Sequence, residues 1–558
     1  MLRRILAMVL TLCMVILLAC GCTSSKDNTG SGNADQQKSA DTAPAKTEAS
    51  TSAGTVENAS KYPITKEKIT VKAMIVPGNY ANEGNKKLLW DCIEELTNIH
   101  LEPVTVEAEQ KSVYLASGNW PDFFYTALSN SEINSYGVEG KMLVNYKDCL
   151  EDMPNLAACF EKYPTSRKVV TKTDGAIYQL PMVNIASTST TARPHYREDV
   201  LNELGLKVPA TTDEFHDVLA AIKKAKGIAP IVADMNGGYE FFLFAAFGEA
   251  TNCGGPAANT AGSVINPGFD SIDGKTVLYT RTTDQYRHYL EYVSQLYSEG
   301  LLYKEFLTLN RATMDAMAQE GTSIFSNNLT TLTAKNFKSG KVEVGTLAPL
   351  TSQYSNTQKI IGSANITVSG CAINKNSKYI KEICRMLDIA FAEEEVEKGT
   401  GLYGKAFAYG PEGMTWEYKD DQKTSFDYIV PKDTNLAATA YINKFVKWST
   451  IGLFDSMMFT AEDGNPRARQ MGYVKNEIPY QREFFPYSLL PFTSDEQSII
   501  DAKLTDIHKY ACEMRGKFIT GVADIKTGWD EYIATINKMG IDDVLKVYQA
   551  AYDRWNKL

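Results

Sequence analysis

The sequence is poor in the residues that bind metals and move protons. It has five histidines, His100, His195, His216, His288 and His508, with no HExxH or other paired-ligand spacing, so no metal centre is expected. Its ten cysteines include no CxxC pair, which sets aside zinc-ribbon and redox motifs. There is no G-x-S-x-G elbow and no internal repeat. GFDSIDGKTV offers Gly274, Lys275 and Thr276, but Gly268 lies one residue too far upstream for a nucleotide phosphate loop. Asp273-Gly274 reads better as a hairpin turn, and no cofactor is implied. Basic charge is also short, with 57 Lys and Arg against 67 Asp and Glu and a net charge of −10. A nucleic-acid partner would ask for a basic face, so none is expected.

The N-terminus does carry an apolar run, Ile5 to Leu18 after Arg3 and Arg4, interrupted by Thr11. It is too short to span a bilayer comfortably and suits a signal-peptide core. The run ends in LLAC and ACGC, both similar to a bacterial lipobox. Cys20 has the better leucine, Leu17, upstream and is favoured for lipidation over Cys22, which has the more usual Gly21 before it. Residues 1–19 are thus the signal peptide. Its removal takes Arg3 and Arg4, leaving 55 basic against 67 acidic residues, a formal charge of −12. Acyl chains contribute about 0.8 kcal/mol per buried methylene, so several would hold the protein at the outer face of the cell membrane. Residues 20–60 have almost no large apolar side chain and are read as a disordered tether.

From about Lys61 the chain is long enough for two lobes. KITVKAMIV alternates Ile69, Val71, Ala73 and Ile75 as a half-buried strand would, a helix is expected over Asn85 to Leu96, and LEPVTVEA reads as a second strand. Another helix leads into LASGNWPDFF, so strands and helices alternate as in a mostly parallel sheet. Ligands of such sheets sit beyond the carboxyl ends of the strands. In LASGNWPDFF, Leu115 to Ser117 end the helix and Gly118 to Pro121 turn the chain. Asp122 fixes the turn, and Phe123 and Phe124 are expected on opposite faces of a covered sheet. Thr211 with Glu214, and Thr493 with Glu496, read as helix starts, and Gly227 and Gly540 as helix ends. Cys92, Cys149, Cys159, Cys253, Cys371, Cys384 and Cys512 are read as buried free thiols, with a Cys149–Cys159 disulfide as the alternative.

What is plentiful is aromatic surface, with 30 Tyr, 22 Phe and 6 Trp. Rings offer flat faces to the C–H surfaces of sugars, although most must serve the core. Carboxylates far apart in sequence can form a glycosidase site without leaving a motif. A surface-anchored glycan-active hydrolase is therefore the alternative to a binding protein. Glu393 to Glu395, a local acidic run, reads as a solvated helix face.

Several segments line up in order with one family. LASGNWPDFF, YGVEGKMLVNYKDCLEDMPNL, DGAIYQLP, YREDVLNELGLKVPATTDEF, LYSEGLLYKEF, YGPEGMTWEY and KFITGVADIKTGWDEYIATINKMGIDDVLKVYQAAYDR cover nearly the whole body. Together the chain resembles the extracellular solute-binding lipoproteins of bacterial ABC importers, the family 1 carbohydrate binders, in the long branch typified by Bacillus-type LplA lipoproteins. It departs at YREDVL, where Asp199-Val200 stands in place of the family's Asp-Trp. The resemblance implies a two-lobe α/β periplasmic-binding-protein-like fold of type II that closes about a hinge on an oligosaccharide. A monomer that hands its ligand to permease subunits and does no chemistry on it is implied as well; a sensor or adhesin on the same fold is a further alternative. Lobe 1 is then drawn as 61–182 with a return segment 366–425, and lobe 2 as 183–365 with C-terminal helices in 426–558. Strand ends and family position together nominate Asn79, Tyr80, Thr126, Ser129, Tyr178, Arg197, Tyr239, Asn327 and Trp416 as ligand contacts.

Overall fold

The computed structural model describes residues 61–558 apart from 78–86, 186–193, 234–237, 256–265, 328, 330–341, 363–365, 420, 422, 424, 437, 448–450, 456–458, 461–474 and 484. The signal peptide, the tether, Cys20, Cys22, Asn79 and Tyr80 lie outside the described residues. No helix among the described residues is long and apolar enough to cross a membrane.

The first sheet contains β1 (Ile69–Ile75), β2 (Ile99–Thr105) and β3 (Phe123–Phe124). β1 lies between the other two and is parallel to both, and the two-residue strand Ala372–Ile373 returns to pair antiparallel with β3. Between β1 and β2 runs α1 (Leu88–Thr97), which starts later than the sequence pattern suggests and ends on Asn98 at φ +61°. Its Leu89, Trp90 and Ile93 are buried. β1 is half-buried only at its start: Val71, Ala73 and Ile75 join one apolar cluster and Met74 another, so its later residues are covered on both faces. The same two clusters receive Phe123 and Phe124 respectively, which puts the two rings on opposite faces of the sheet.

The corner before β3 is held by polar contacts. Helix Lys111–Ala116 ends, Gly118 takes φ +69°, and Trp120 Nε1 donates to the Leu115 carbonyl at 2.9 Å. Asp122 then accepts from the Lys72 backbone N–H at 2.8 Å and the Ser377 hydroxyl at 2.6 Å, tying the turn to β1 and to the returning chain.

A second sheet joins three segments far apart in the chain. β4 (Leu180–Asn184) is flanked by Ile366–Gly370, antiparallel, and Gly452–Phe454, parallel. Beyond it, β5 (His195–Arg197) sits between Phe325–Ser326 and Val344–Thr346. Thr211 accepts from the Glu214 N–H at 3.1 Å and starts α2 (Thr212–Lys226), which Gly227 closes at φ +69°. Thr493 and Glu496 form a reciprocal capping box for α3 (Ser494–Thr520), and the chain finishes in helices Ile525–Lys538 and Ile541–Trp555 with Gly540 at φ +94° between them.

Two local expectations resolve differently. Glu393–Glu395 is not on a helix; it lies among turns, where Glu395 accepts from the Gly399 and Gly401 N–H groups at 2.9 and 2.8 Å. All seven described cysteines are free, so Cys149 and Cys159 are not bonded. At Asp273-Gly274 the chain does form a hairpin between Phe269–Asp270 and Leu278–Tyr279. The Asp273 carboxylate accepts from the Thr276 and Lys275 N–H groups, which hold it down to about 2. A carboxylate filling that loop leaves no cradle for a phosphate.

Candidate functional site

Because β1, β2 and β3 run parallel, their carboxyl ends share one edge of the sheet. There the chain leaving β3 changes character: Tyr125 is buried against Trp90, Thr126 is half-buried, and Ala127 and Ser129 are exposed. Two strands of the second sheet press on this turn. Gln179, just before β4, accepts from the Leu128 N–H at 2.7 Å and donates back to the Leu128 carbonyl at 3.0 Å. Gly370, at the end of the strand antiparallel to β4, has φ +120°, and a Cβ there would lie 2.5 Å from the Thr126 carbonyl carbon. Only glycine permits that approach. Ser129 then caps the short helix Asn130–Ile133 in a reciprocal box with Glu132, whose carboxylate also binds Lys111 Nζ at 2.7 Å.

Beyond Ser129 opens a groove of about 540 Å³. One wall is Ser129, Asn130 and Ser131; the other is α3, which presents Gln497, Asp501 and Thr505. Those three recur every four residues and so share a helix face, and Gln497 Nε2 donates to Asp501 Oδ1 at 2.9 Å. Tyr487, Phe492 and Tyr548 add ring surface. Behind the first wall, Lys172 is 8 % exposed and donates to Asn130 Oδ1 at 2.9 Å. Burial pulls its ammonium down to about 8. With Oδ1 engaged by Lys172, the Asn130 amide presents its NH2 end as donor. Hydroxyls, amides and a carboxylate beside aromatic faces form the complement of a polyhydroxylated ring.

A second cavity, about 610 Å³, lies between helix Pro164–Val170 and the end of the last helix. Its cations are already engaged: Arg482 pairs with Asp270 at 2.9 Å, and Lys168 stands over the Trp555 ring at 4.9 Å. No group of His, Cys, Asp and Glu placed to hold a metal is found among the described residues.

The nominated contacts separate by burial. Thr126 and Ser129 stand at the sheet edge, and Ser129 lines the groove. Asn327 follows Phe325–Ser326 and is half-buried. Arg197 is buried and makes a two-point ion pair with Asp199 at 2.6 and 2.8 Å, a local pair rather than an open guanidinium. Tyr178 is 3 % exposed; its ring packs on Gly137 and its hydroxyl donates to Asp174 at 2.7 Å, so burial and that carboxylate push it up to about 12. Tyr239 and Trp416 are fully buried. Trp416 Nε1 donates to the Gly410 carbonyl at 2.8 Å, and Tyr409, Tyr418 and Phe426 pack around the indole. That indole offers no face to a ligand in this structure, nor does the Tyr239 ring, because each is enclosed by core neighbours.

Asn130, Gln497, Asp501 and Thr505 were not nominated from the sequence. The spacing of the last three behind the Thr493 cap was the available signal, hidden by the apolar Ile500–Leu504–Ile507 stripe on the same helix.

No family model matches the chain. Among curated proteins it is similar to the fructooligosaccharide ABC transporter substrate-binding protein FusA of Streptococcus pneumoniae serotype 4, with 24 % identity over 520 residues, 88 % of this chain and 91 % of the relative. Among solved structures it superposes on an extracellular solute-binding protein from Bifidobacterium longum subsp. infantis with a TM-score of 0.68 at 18 % identity, covering 88 % of this chain and 98 % of the other. The fold is the two-lobe solute-binding fold. FusA of S. pneumoniae in complex with kestose shares this solute-binding fold at a TM-score of 0.65 and 20 % identity, over 88 % of this chain and all of that one. The resemblance carried by the ordered sequence segments is thus matched in structure, and the type II α/β architecture follows from it.

Proposed function

We propose that the chain is a membrane-anchored receptor that captures an oligosaccharide and delivers it to the permease subunits of an ABC importer. The observation that carries this reading is the groove joining the β3 end to α3, where Ser, Asn, Gln, Asp and Thr side chains stand beside Tyr and Phe rings. The curated relative is a fructooligosaccharide-binding protein, which makes fructo-oligosaccharides the first ligands to try.

The mechanism is hinge closure. Residues 61–182 with 366–425 form one lobe and 183–365 with 426–558 the other; the return of Ala372–Ile373 to β3 supports this division. Sugar rests first on Thr126, Ser129 and Asn130, and Asn79 and Tyr80, which follow β1 in the sequence, are further proposed contacts. Contacts from the opposite lobe, with Asn327, Gln497 and Asp501 among them, then select the closed form, and only this differential binding shifts the lobe equilibrium. Gln179 and Gly370 transmit the closure, since both belong to crossing segments and both touch the Thr126–Leu128 turn. Lipid on Cys20 keeps the monomer beside its permeases, and the bound glycan leaves unaltered.

Incubation with kestose and longer fructo-oligosaccharides, read by thermal shift and by mass spectrometry of the sugar, tests this. The receptor reading predicts a raised melting temperature and intact sugar. Shortened products would replace it with the glycan-active enzyme.

A further inference from the structure

The 3₁₀ helix Tyr146–Asp152 packs against helix Ile380–Asp388, far along the chain. Their contact is well fastened. Lys381 Nζ lies 3.1 Å from Asp152 Oδ1, and Asp388 accepts from the Leu156 N–H at 2.8 Å and from the Asn155 side chain at 2.8 Å. Tyr146, fully buried, donates its hydroxyl to the Cys371 carbonyl beside the returning strand. Two thiols stand in this contact: Cys149 is one 3₁₀ turn from Asp152 and Cys384 about one helical turn from Lys381, so both lie on the sides of the two elements that the Lys381–Asp152 pair brings together. They are unequal, for Cys149 is half-buried and Cys384 fully buried. The neighbouring Cys384 side chain holds the Cys149 thiol below its ordinary value, while the same neighbour and burial push Cys384 up. Cys159, the partner suggested by closeness in sequence, is instead buried beside Ser166, and desolvation raises it to about 11.

We propose that Cys149 and Cys384 form a dithiol site that a disulfide oxidant converts into an intramolecular disulfide, tying the 3₁₀ helix Tyr146–Asp152 to the helix Ile380–Asp388. Cys149 is the entry thiol, because it is the more exposed and the more readily ionised of the two. Its thiolate attacks one sulfur of the oxidant, the oxidant's S–S bond breaks, and one oxidant thiolate leaves with the electron pair. Cys384 gives its proton to water and attacks the Cys149 sulfur of the mixed disulfide, expelling the second oxidant thiolate. Two protein thiols are oxidised by two electrons, and one oxidant disulfide becomes two thiols. The new bond closes a loop that contains both β4 and the crossing strand Ile366–Gly370, yet it touches no residue of the groove. It therefore restrains the unfolded chain without altering the sugar-binding surface.

Incubating the folded, full chain with oxidised glutathione, followed by alkylation in denaturant and peptide mapping without reduction, tests the site. The expected result is a Cys149 peptide joined to a Cys384 peptide, about 2 Da lighter than the two thiol peptides together, that separates on reduction. The oxidised chain should also melt several degrees higher than the reduced one, and C384S should retain glutathione on Cys149. Finding both cysteines alkylated after oxidation of the folded chain, or a stable glutathione adduct on Cys149 of the unsubstituted chain, overturns the proposal. The map of the unsubstituted chain decides alone should C384S fail to fold.

Discussion

The corner LASGNWPDFF and the segment YGPEGMTWEY look alike as sequences, each placing glycine and proline beside large rings. In both, the rings face inward: Phe123, Phe124 and Trp416 are all fully buried. They differ in what the burial leads to. After the first, the chain comes out at the sheet edge as Thr126 to Ser131 and forms a groove wall; after the second, it closes on itself, with the Ile429 N–H bonded to the Thr415 carbonyl at 2.7 Å. The rings of both segments thus serve the core, and what the first segment adds to the proposed groove is the small polar side chains that follow its strand end.

The comparison breaks most forcefully at Trp416. Replacing it with alanine should lower stability by about 3–5 kcal/mol, the range for emptying a large aromatic site in a core, while the protein that remains folded binds sugar as before. Denaturant unfolding alongside calorimetry separates the two, and affinity lost at unchanged stability would make the indole a ligand platform after all. The reverse pattern is expected in the groove. D501A should weaken sugar binding about tenfold, equivalent to about 1.4 kcal/mol, and leave stability within about 0.5 kcal/mol, as for most surface changes.

Lys172 sharpens the contrast through pH. Burial pulls its ammonium down to about 8 in the folded chain from the ordinary lysine value of 10.5, so between those values the unfolded chain binds more protons. The penalty of burying the charge is felt in full below pH 8 and fades as pH rises toward 10.5, so stability should climb through that window. K172M should make the climb shallower in denaturant titrations at successive pH values; an unchanged slope would mean Lys172 is not the group responsible. The smallest effect belongs to Y178F. It removes the hydrogen bond to Asp174 and should cost no more than about 1.5 kcal/mol of stability, with sugar affinity unchanged in calorimetry.

What the sequence made legible was local. Thr211, Thr493, Gly227 and Gly540 mark helix ends because capping and left-handed backbone depend on residues a few positions apart. The corner at Asp122 was readable for the same reason, and so was the hairpin at Asp273-Gly274. The groove was only half legible. Its Ser129 wall follows from where a parallel strand ends, but its Asp501 wall comes from a helix far along the chain, and no local pattern records that meeting. Tyr239 and Trp416, nominated as contacts, are fully buried in the fold, and the kind of residue could not tell that, because only the neighbours distinguish a core ring from a cleft ring. Arg197 shows the same limit, its charge being satisfied by Asp199 two residues on.

The central claim is that sugar binds between the β3 end and α3. Hydrogen exchange of the full chain, with and without a fructo-oligosaccharide that raises its melting temperature, tests it most directly. Protection is expected in the peptides covering 126–131 and 497–505 together, with none at 406–418. Protection confined to 406–418, with the two groove walls unchanged while sugar is bound, would contradict it.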